Sequence, residues 1–302
     1  MLYILMVVVI SSFVPTTLKF ARTRSLNTDY VIFFNYLIAA VFSGVKALRS
    51  GTVFGIPLIA ESDIRELFCN ITIPNTYLLI FIIGIVSGAL YYAALILVKM
   101  SVVENGMGKT SMFSRLSFLV SLAAAVLIWH EIPSVVSGLG ILFGIASVIL
   151  LLKDSEKRQG NAILLILLML VNGLVEVGNK LITMYSISTR YKDLFVAVVY
   201  IVAFFFCSAV LVASHNKNRS DRASMKEVGL GVVLGIPNVA NSLLILKALE
   251  VLPAAIAFAS IASGSVLLSS IIGSVVFHEQ IRKNQKIAIV ITICGLVLMN
   301  LG

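Results

Sequence analysis

Apolar runs long enough to cross a hydrocarbon core of about 30 Å recur from one end of the chain to the other, and short polar stretches separate them. The pattern predicts ten membrane-spanning helices. Five cover residues 2–20, 30–45, 77–98, 107–129 and 135–152, and five more cover 162–184, 194–213, 228–246, 254–277 and 287–301. Connectors are short except for about thirty residues, 46–76, between the second and third spans, where the charge mixture Glu61, Asp63, Arg65 and Glu66 suits a solvated loop or a short surface helix over 62–68.

Two sets of five spans raise the question of duplication, and the sparse charged positions answer it better than hydrophobicity does. A shift of about 148 residues lays Lys99 on Lys247, His130 on His278 and Glu131 on Glu279 without a gap. A shift of about 161 lays Thr17-Leu18-Lys19 on Gly178-Asn179-Lys180 and brings Tyr30 onto Tyr191. Five spans is an odd number, so a second copy enters the membrane from the opposite side. The result is an inverted-topology repeat, an architecture found chiefly in transporters.

Composition narrows the class. The chain has 302 residues, 59% of them hydrophobic and 12% charged, against about 25% charged in soluble domains. Residues 1–20 lack a basic leader and a small-residue cleavage site, so they read as the first span and not as a signal peptide. The formal charge of +9 resides mostly in connectors, where Lys and Arg serve topology, so nucleic acid is not an expected partner. Odd-numbered connectors carry about 15 Lys and Arg and even-numbered ones about 7, which by itself places both termini outside. Cys69, Cys207 and Cys294 are scattered, with neither a disulfide framework nor a metal-binding spacing.

The candidate chemistry lies at polar residues inside the spans. Asn172, Glu176 and Asn179 share one face of the sixth span, at steps of four and three. Glu176 is the one acidic residue well inside a span, roughly 20 Å along its helix, where a carboxylate by default marks a site facing a cavity. Arg115 of the fourth span is its natural counter-charge, while Lys109 can snorkel from the same span. Two roles stay open for Glu176: binding of substrate or proton, and a structural ion pair with Arg115. In the eighth span, Pro237 with Asn238 and Asn241 suggests a helix break that exposes polar backbone, or interhelical hydrogen bonding. Pro15-Thr16-Thr17 is a similar candidate kink, and Asn35, Tyr36 and Tyr200 are further polar positions in apolar runs. Ser260, Ser263, Gly264 and Ser265 suit close helix packing.

His130-Glu131 and His278-Glu279 lack the second His that a zinc protease needs four residues on, so no metal is expected. Their place between spans suggests a structural turn in which the Glu accepts backbone N–H groups at the start of the next helix. No phosphate-binding loop is present, and no extramembrane segment has room for a nucleotide domain, so no ATP-driven step and no cofactor are expected.

His130-Glu131-Ile132-Pro133-Ser134, followed by Gly138, Gly140 and Gly144, resembles the end of an EamA domain of the drug/metabolite transporter superfamily. In that pattern a Gly-Glu pair precedes small residues nine and sixteen positions after the Glu. These are Gly140 and Ser147 in the first copy, and Ala288 and Gly295 in the second, with His130 and His278 in place of the Gly. Lys247-Ala248-Leu249 followed by Pro253-Ala254-Ala255 resembles the family's connection between third and fourth helices. The resemblance implies an all-α membrane protein of ten helices, with EamA-like modules over 1–153 and 160–302 in an inverted repeat. It also implies a central cavity and cytoplasmic termini, opposite to the charge count.

The expectation is therefore a secondary transporter of a small polar metabolite, such as an amino acid or amine, working by alternating access in a bacterial plasma membrane. Its partners would be the solute, the lipid bilayer and protons or a counter-substrate, with the chain a monomer or homodimer. Organic-cation efflux is the alternative within transport. A lipid-handling accessory subunit or embedded enzyme is the alternative from another class, one for which the sequence offers no nucleophile motif or His cluster.

Overall fold

The computed structural model describes residues 2–24, 26–51, 73–105, 110, 113–153, 161–185, 189–215, 223–277 and 283–301. Ten helices occur among them: α1 (Leu2–Thr23), α2 (Thr28–Arg49), α3 (Ile73–Asn105), α4 (Phe118–Leu127), α5 (Val135–Lys153), α6 (Ala162–Tyr185), α7 (Thr189–His215), α8 (Met225–Val251), α9 (Ala254–Phe277) and α10 (Lys283–Leu301). Five stretches are long and apolar enough to cross a membrane, namely Thr28–Arg49, Tyr77–Asn105, Ala162–Met184, Tyr191–Ala213 and Met225–Val251. Large apolar side chains such as Leu5, Phe205 and Val212 face outward, as expected where the surrounding solvent is lipid. The chain is an integral membrane protein. The 62–68 segment, Lys109, His278 and Glu279 lie outside the described residues.

Contacts divide the chain into two compact units. One comprises Met1–Ser12, Ala93–Val177 and Lys247–Gly302. In it α5 and α10 pack along each other, and α9 packs against α4, α5 and α10. A Cβ built on Gly295 would meet the Gly140 carbonyl at 2.9 Å, so α5 and α10 approach through two of the four small-residue positions of the sequence motif. The other unit comprises Phe13–Tyr92 and Gly178–Leu246, with α2 lying along α7. Gly235 of α8 lies against α2, where a Cβ would stand 2.9 Å from the Asn35 carbonyl. Lys46 of α2 and Asp193 of α7 form an ion pair at 2.6 Å at the ends of those helices.

Local sequence explains the helix ends. Asn27 caps α2 by accepting the Asp29 N–H at 3.0 Å. Glu227 caps the start of α8 by accepting the Ser224 N–H at 2.8 Å, one half of a capping box. Glu227 also accepts the Asn27 N–H at 2.7 Å, which fixes the α1–α2 turn to α8.

Two expectations are corrected here. The 107–129 span is not one uninterrupted helix: residues 113–115 are helical, Leu116 and Ser117 turn, and α4 begins at Phe118. The Ser117 side chain makes no capping bond to α4, because it is engaged elsewhere. Pro237 does not break α8, which runs through it from Met225 to Val251. At the start of α5, Ser134 accepts the Ser137 N–H at 3.1 Å, and the Glu131 carboxylate accepts the N–H of Ala254 at the start of α9, 2.8 Å away.

His130 ends the α4 turn with φ of 53°. The Glu131 N–H reaches back to the Ala125 carbonyl at 3.0 Å, the closing bond of a helix stop in which the left-handed position is usually glycine. The substitution of His for the usual Gly thus preserves the turn at a cost, since a left-handed L-residue is disfavoured by about 1–2 kcal/mol, of which glycine returns part as extra chain entropy. His130→Gly should raise stability by about 0.5–1 kcal/mol, read as a higher Tm in detergent. A lower Tm would contradict the strain.

Candidate functional site

The first unit contains a charged cluster inside its helices. Glu176 sits in α6 and is partly buried. Ser117 donates to its Oε1 at 2.7 Å, and Ser121 donates to its Oε2 at 2.6 Å, so both carboxylate oxygens are held from the α4 side. One helical turn earlier, the Asn172 amide donates to Ser114 Oγ at 3.2 Å and to the Leu168 carbonyl at 3.0 Å. Ser114, Ser117 and Ser121 are spaced by three and four, so one stripe of hydroxyls meets the Asn172–Glu176 face. Gly173 lies between those two residues and lets Val120 of α4 come close, for a Cβ at 173 would stand 2.4 Å from the Val120 Cβ.

Arg115 is in the same cluster, but the direct pairing with Glu176 is not found. Its Nη2 donates weakly to the Ser11 carbonyl of α1 at 3.5 Å, and no ion pair joins it to Glu176 among the described residues. The two charges are within electrostatic reach of each other. The geometry explains the separation, because neighbouring residues on a helix point about 100° apart. Ser114 faces α6, and Arg115 is turned towards α1.

The second unit holds a cluster without formal charge. Tyr200, fully buried on α7, donates to the Asn238 carbonyl at 2.8 Å, and its hydroxyl lies 2.7 Å from Ser242 Oγ. Tyr36 of α2 donates to the Tyr91 carbonyl at 3.1 Å. The Tyr36 and Tyr91 rings lie 6.4 and 5.9 Å from that of Tyr200. Asn238 donates to Asn35 Oδ1 at 3.3 Å, whereas Asn241 does not join it, and its Oδ1 is buried without a partner among the described residues. Asn179 is buried and lines a crevice with Tyr91, Phe195, Val196, Val199, Tyr200 and Ser242, too narrow to seat a water molecule. Asn238, adjacent to Pro237, supplies the carbonyl that Tyr200 uses.

Ser114, Ser117 and Ser121, and likewise Tyr91 and Ser242, join these clusters beyond the residues expected from the sequence. The serines carried a signal: with Thr110 they form a polar stripe at helical spacing in an otherwise apolar span. Tyr91 and Ser242 had none, since each is defined by partners distant in sequence. Ser260, Ser263 and Ser265 are buried, and beside them Gly264 approaches Val8 of α1, where a Cβ would stand 2.8 Å from a Val8 methyl. Among the described residues, no group of His, Cys, Asp and Glu could hold a metal ion.

Residues 161–301 match the model of the EamA-like transporter family. A Haemophilus influenzae protein described as uncharacterized is 24% identical over 292 residues, covering 94% of this chain and 92% of its own. One crystal structure shares the fold at 15% identity, with a TM-score of 0.67 over 99% of this chain and 96% of that one.

Proposed function

From the membership of residues 161–301 in the EamA-like transporter family, we propose that this integral membrane protein is a secondary carrier of a small polar metabolite, an amino acid or a related amine-bearing solute. The family consists of transporters of the drug/metabolite type. On this reading the segments 1–153 and 160–302 are two five-helix modules in an inverted repeat. They exchange two packings that open a binding site to alternate sides of a bacterial plasma membrane. The register of Lys99 with Lys247 and of His130-Glu131 with His278-Glu279 supports the duplication.

One observation carries the reading most. A carboxylate in the middle of a membrane helix is retained only where it is used or neutralised, and Glu176 is held by two hydroxyls, with an arginine in reach but not bonded to it. Such a centre keeps its charges available to a solute. Exchange against a counter-substrate and proton coupling through Glu176 are both compatible with it.

A thermal-shift screen of metabolites tests the reading. A true ligand at 100 times its Kd should stabilise the purified protein by about 2.7 kcal/mol, and amino acids or amines should lead the hits. A screen in which no metabolite raises the Tm at millimolar concentration would count against a carrier of this class.

A further inference from the structure

Resting on that reading, we infer that the transported solute presents a carboxylate and that Arg115 is the group that receives it, with Glu176 as the counter-charge. Organic cations, which the sequence left open as an alternative, are then excluded.

Both oxygens of Glu176 accept short hydrogen bonds, from Ser117 at 2.7 Å and from Ser121 at 2.6 Å, which hold the carboxylate in place and leave each oxygen a lone pair for an ammonium. Arg115 is in the opposite condition. A guanidinium has five N–H donors in a planar fork, and among the described residues this one makes a single hydrogen bond, to the Ser11 carbonyl at 3.5 Å, at the outer limit of such a bond. The residue as a whole is partly buried, and the other N–H groups of the guanidinium have no hydrogen-bond acceptor among the described residues. A guanidinium so placed in a membrane helix calls for an acceptor, and the acceptor whose geometry matches two parallel N–H bonds is a planar oxyanion.

Charge balance narrows the class further. Arg115 and Glu176 bring one formal charge of each sign to the cluster, and these sum to zero. A simple acid on Arg115 would make it net negative, and an amine would make it net positive. A zwitterion with its carboxylate on the guanidinium and its ammonium towards Glu176 keeps it neutral. A lysine at 115 would lack the fork, so the position reads carboxylate shape as well as charge.

The test uses purified full-length protein and four sets of probes: the proteinogenic L-amino acids, their methyl esters, the corresponding decarboxylated amines, and inorganic phosphate. Binding is read by thermal shift and by competition against the tightest-binding acid. The expected result is that esters and amines bind about 10- to 100-fold more weakly than their parent acids and that phosphate does not compete. Arg115→Gln should bind acid and ester equally, and Arg115→Lys should recover only part of the preference. Esters or amines that match the acids would overturn the inference and leave the carrier reading standing, as would phosphate that outcompetes them. A preference that persists in Arg115→Gln would overturn the role of Arg115. If that variant fails to fold, the wild-type comparison of acid with ester still decides the carboxylate. Absence of any shift with all four probe sets would overturn the carrier reading together with the inference.

Discussion

Glu176→Gln should abolish transport while leaving a folded protein. The substitution keeps the side-chain shape and removes the charge that balances Arg115. Ser117 and Ser121 now donate to the two carboxylate oxygens. A glutamine can accept from one of them and must donate to the other, whose hydroxyl can rotate to receive it. Hydrogen bonds to a charged group are worth about 1.5–3 kcal/mol and their neutral counterparts about 1, so a stability loss of about 1–3 kcal/mol is expected. Transport should fall by about two orders of magnitude or more. A purely structural ion pair would behave differently: breaking it would cost about 3–5 kcal/mol and Arg115→Met would rescue it. Since no direct bond joins Arg115 to Glu176, little rescue is expected. Transport at the wild-type rate in Glu176→Gln would remove this carboxylate from the mechanism.

Gly173→Ala should be nearly as damaging, although it adds one methyl group and changes no charge. Its Cβ would stand 2.4 Å from the Cβ of Val120 and within 2.9 Å of both Val120 methyls, so α4 and α6 must separate or twist. Overpacking of this kind typically costs about 1–3 kcal/mol. The separation acts directly on the site, because the Ser117 and Ser121 bonds to Glu176 cross the same interface. The design of a rescue follows from the geometry. Val120→Ala retains the offending Cβ and should not restore the double variant, whereas Val120→Gly removes it and should recover stability and transport together, beyond additivity. Equal rescue by Ala and Gly, read by Tm and uptake, would show that the contact is not what limits the approach.

Much of this architecture was legible because most of the helices are long apolar runs, some with capped ends, as at Asn27 and at Ser224 with Glu227. Glu176 was visible for the same reason, as a lone acid in an apolar stretch. What remained hidden was pairing across helices. The Ser114, Ser117 and Ser121 stripe marks a polar face without saying that it meets Glu176, and the turn at Leu116 and Ser117 has no Pro or Gly to announce it. Glu131 reads locally as a cap for the following helix, and nothing local announces its bond to Ala254, 123 residues away. Likewise, Pro237 is tolerated inside α8, showing that a residue that usually breaks isolated helices need not break a packed membrane helix.

The central claim is that this chain carries a solute at a centre built around Glu176 and Arg115, and counterflow in proteoliposomes tests it most directly. Vesicles loaded with an unlabelled amino acid that stabilises the protein are diluted into a trace of the labelled compound, and uptake is followed for wild type, Glu176→Gln and Arg115→Gln. The account expects transient accumulation of label above the equilibrium level with wild type, and uptake no faster than in protein-free vesicles with either variant. Accumulation by both variants at the wild-type rate would contradict it.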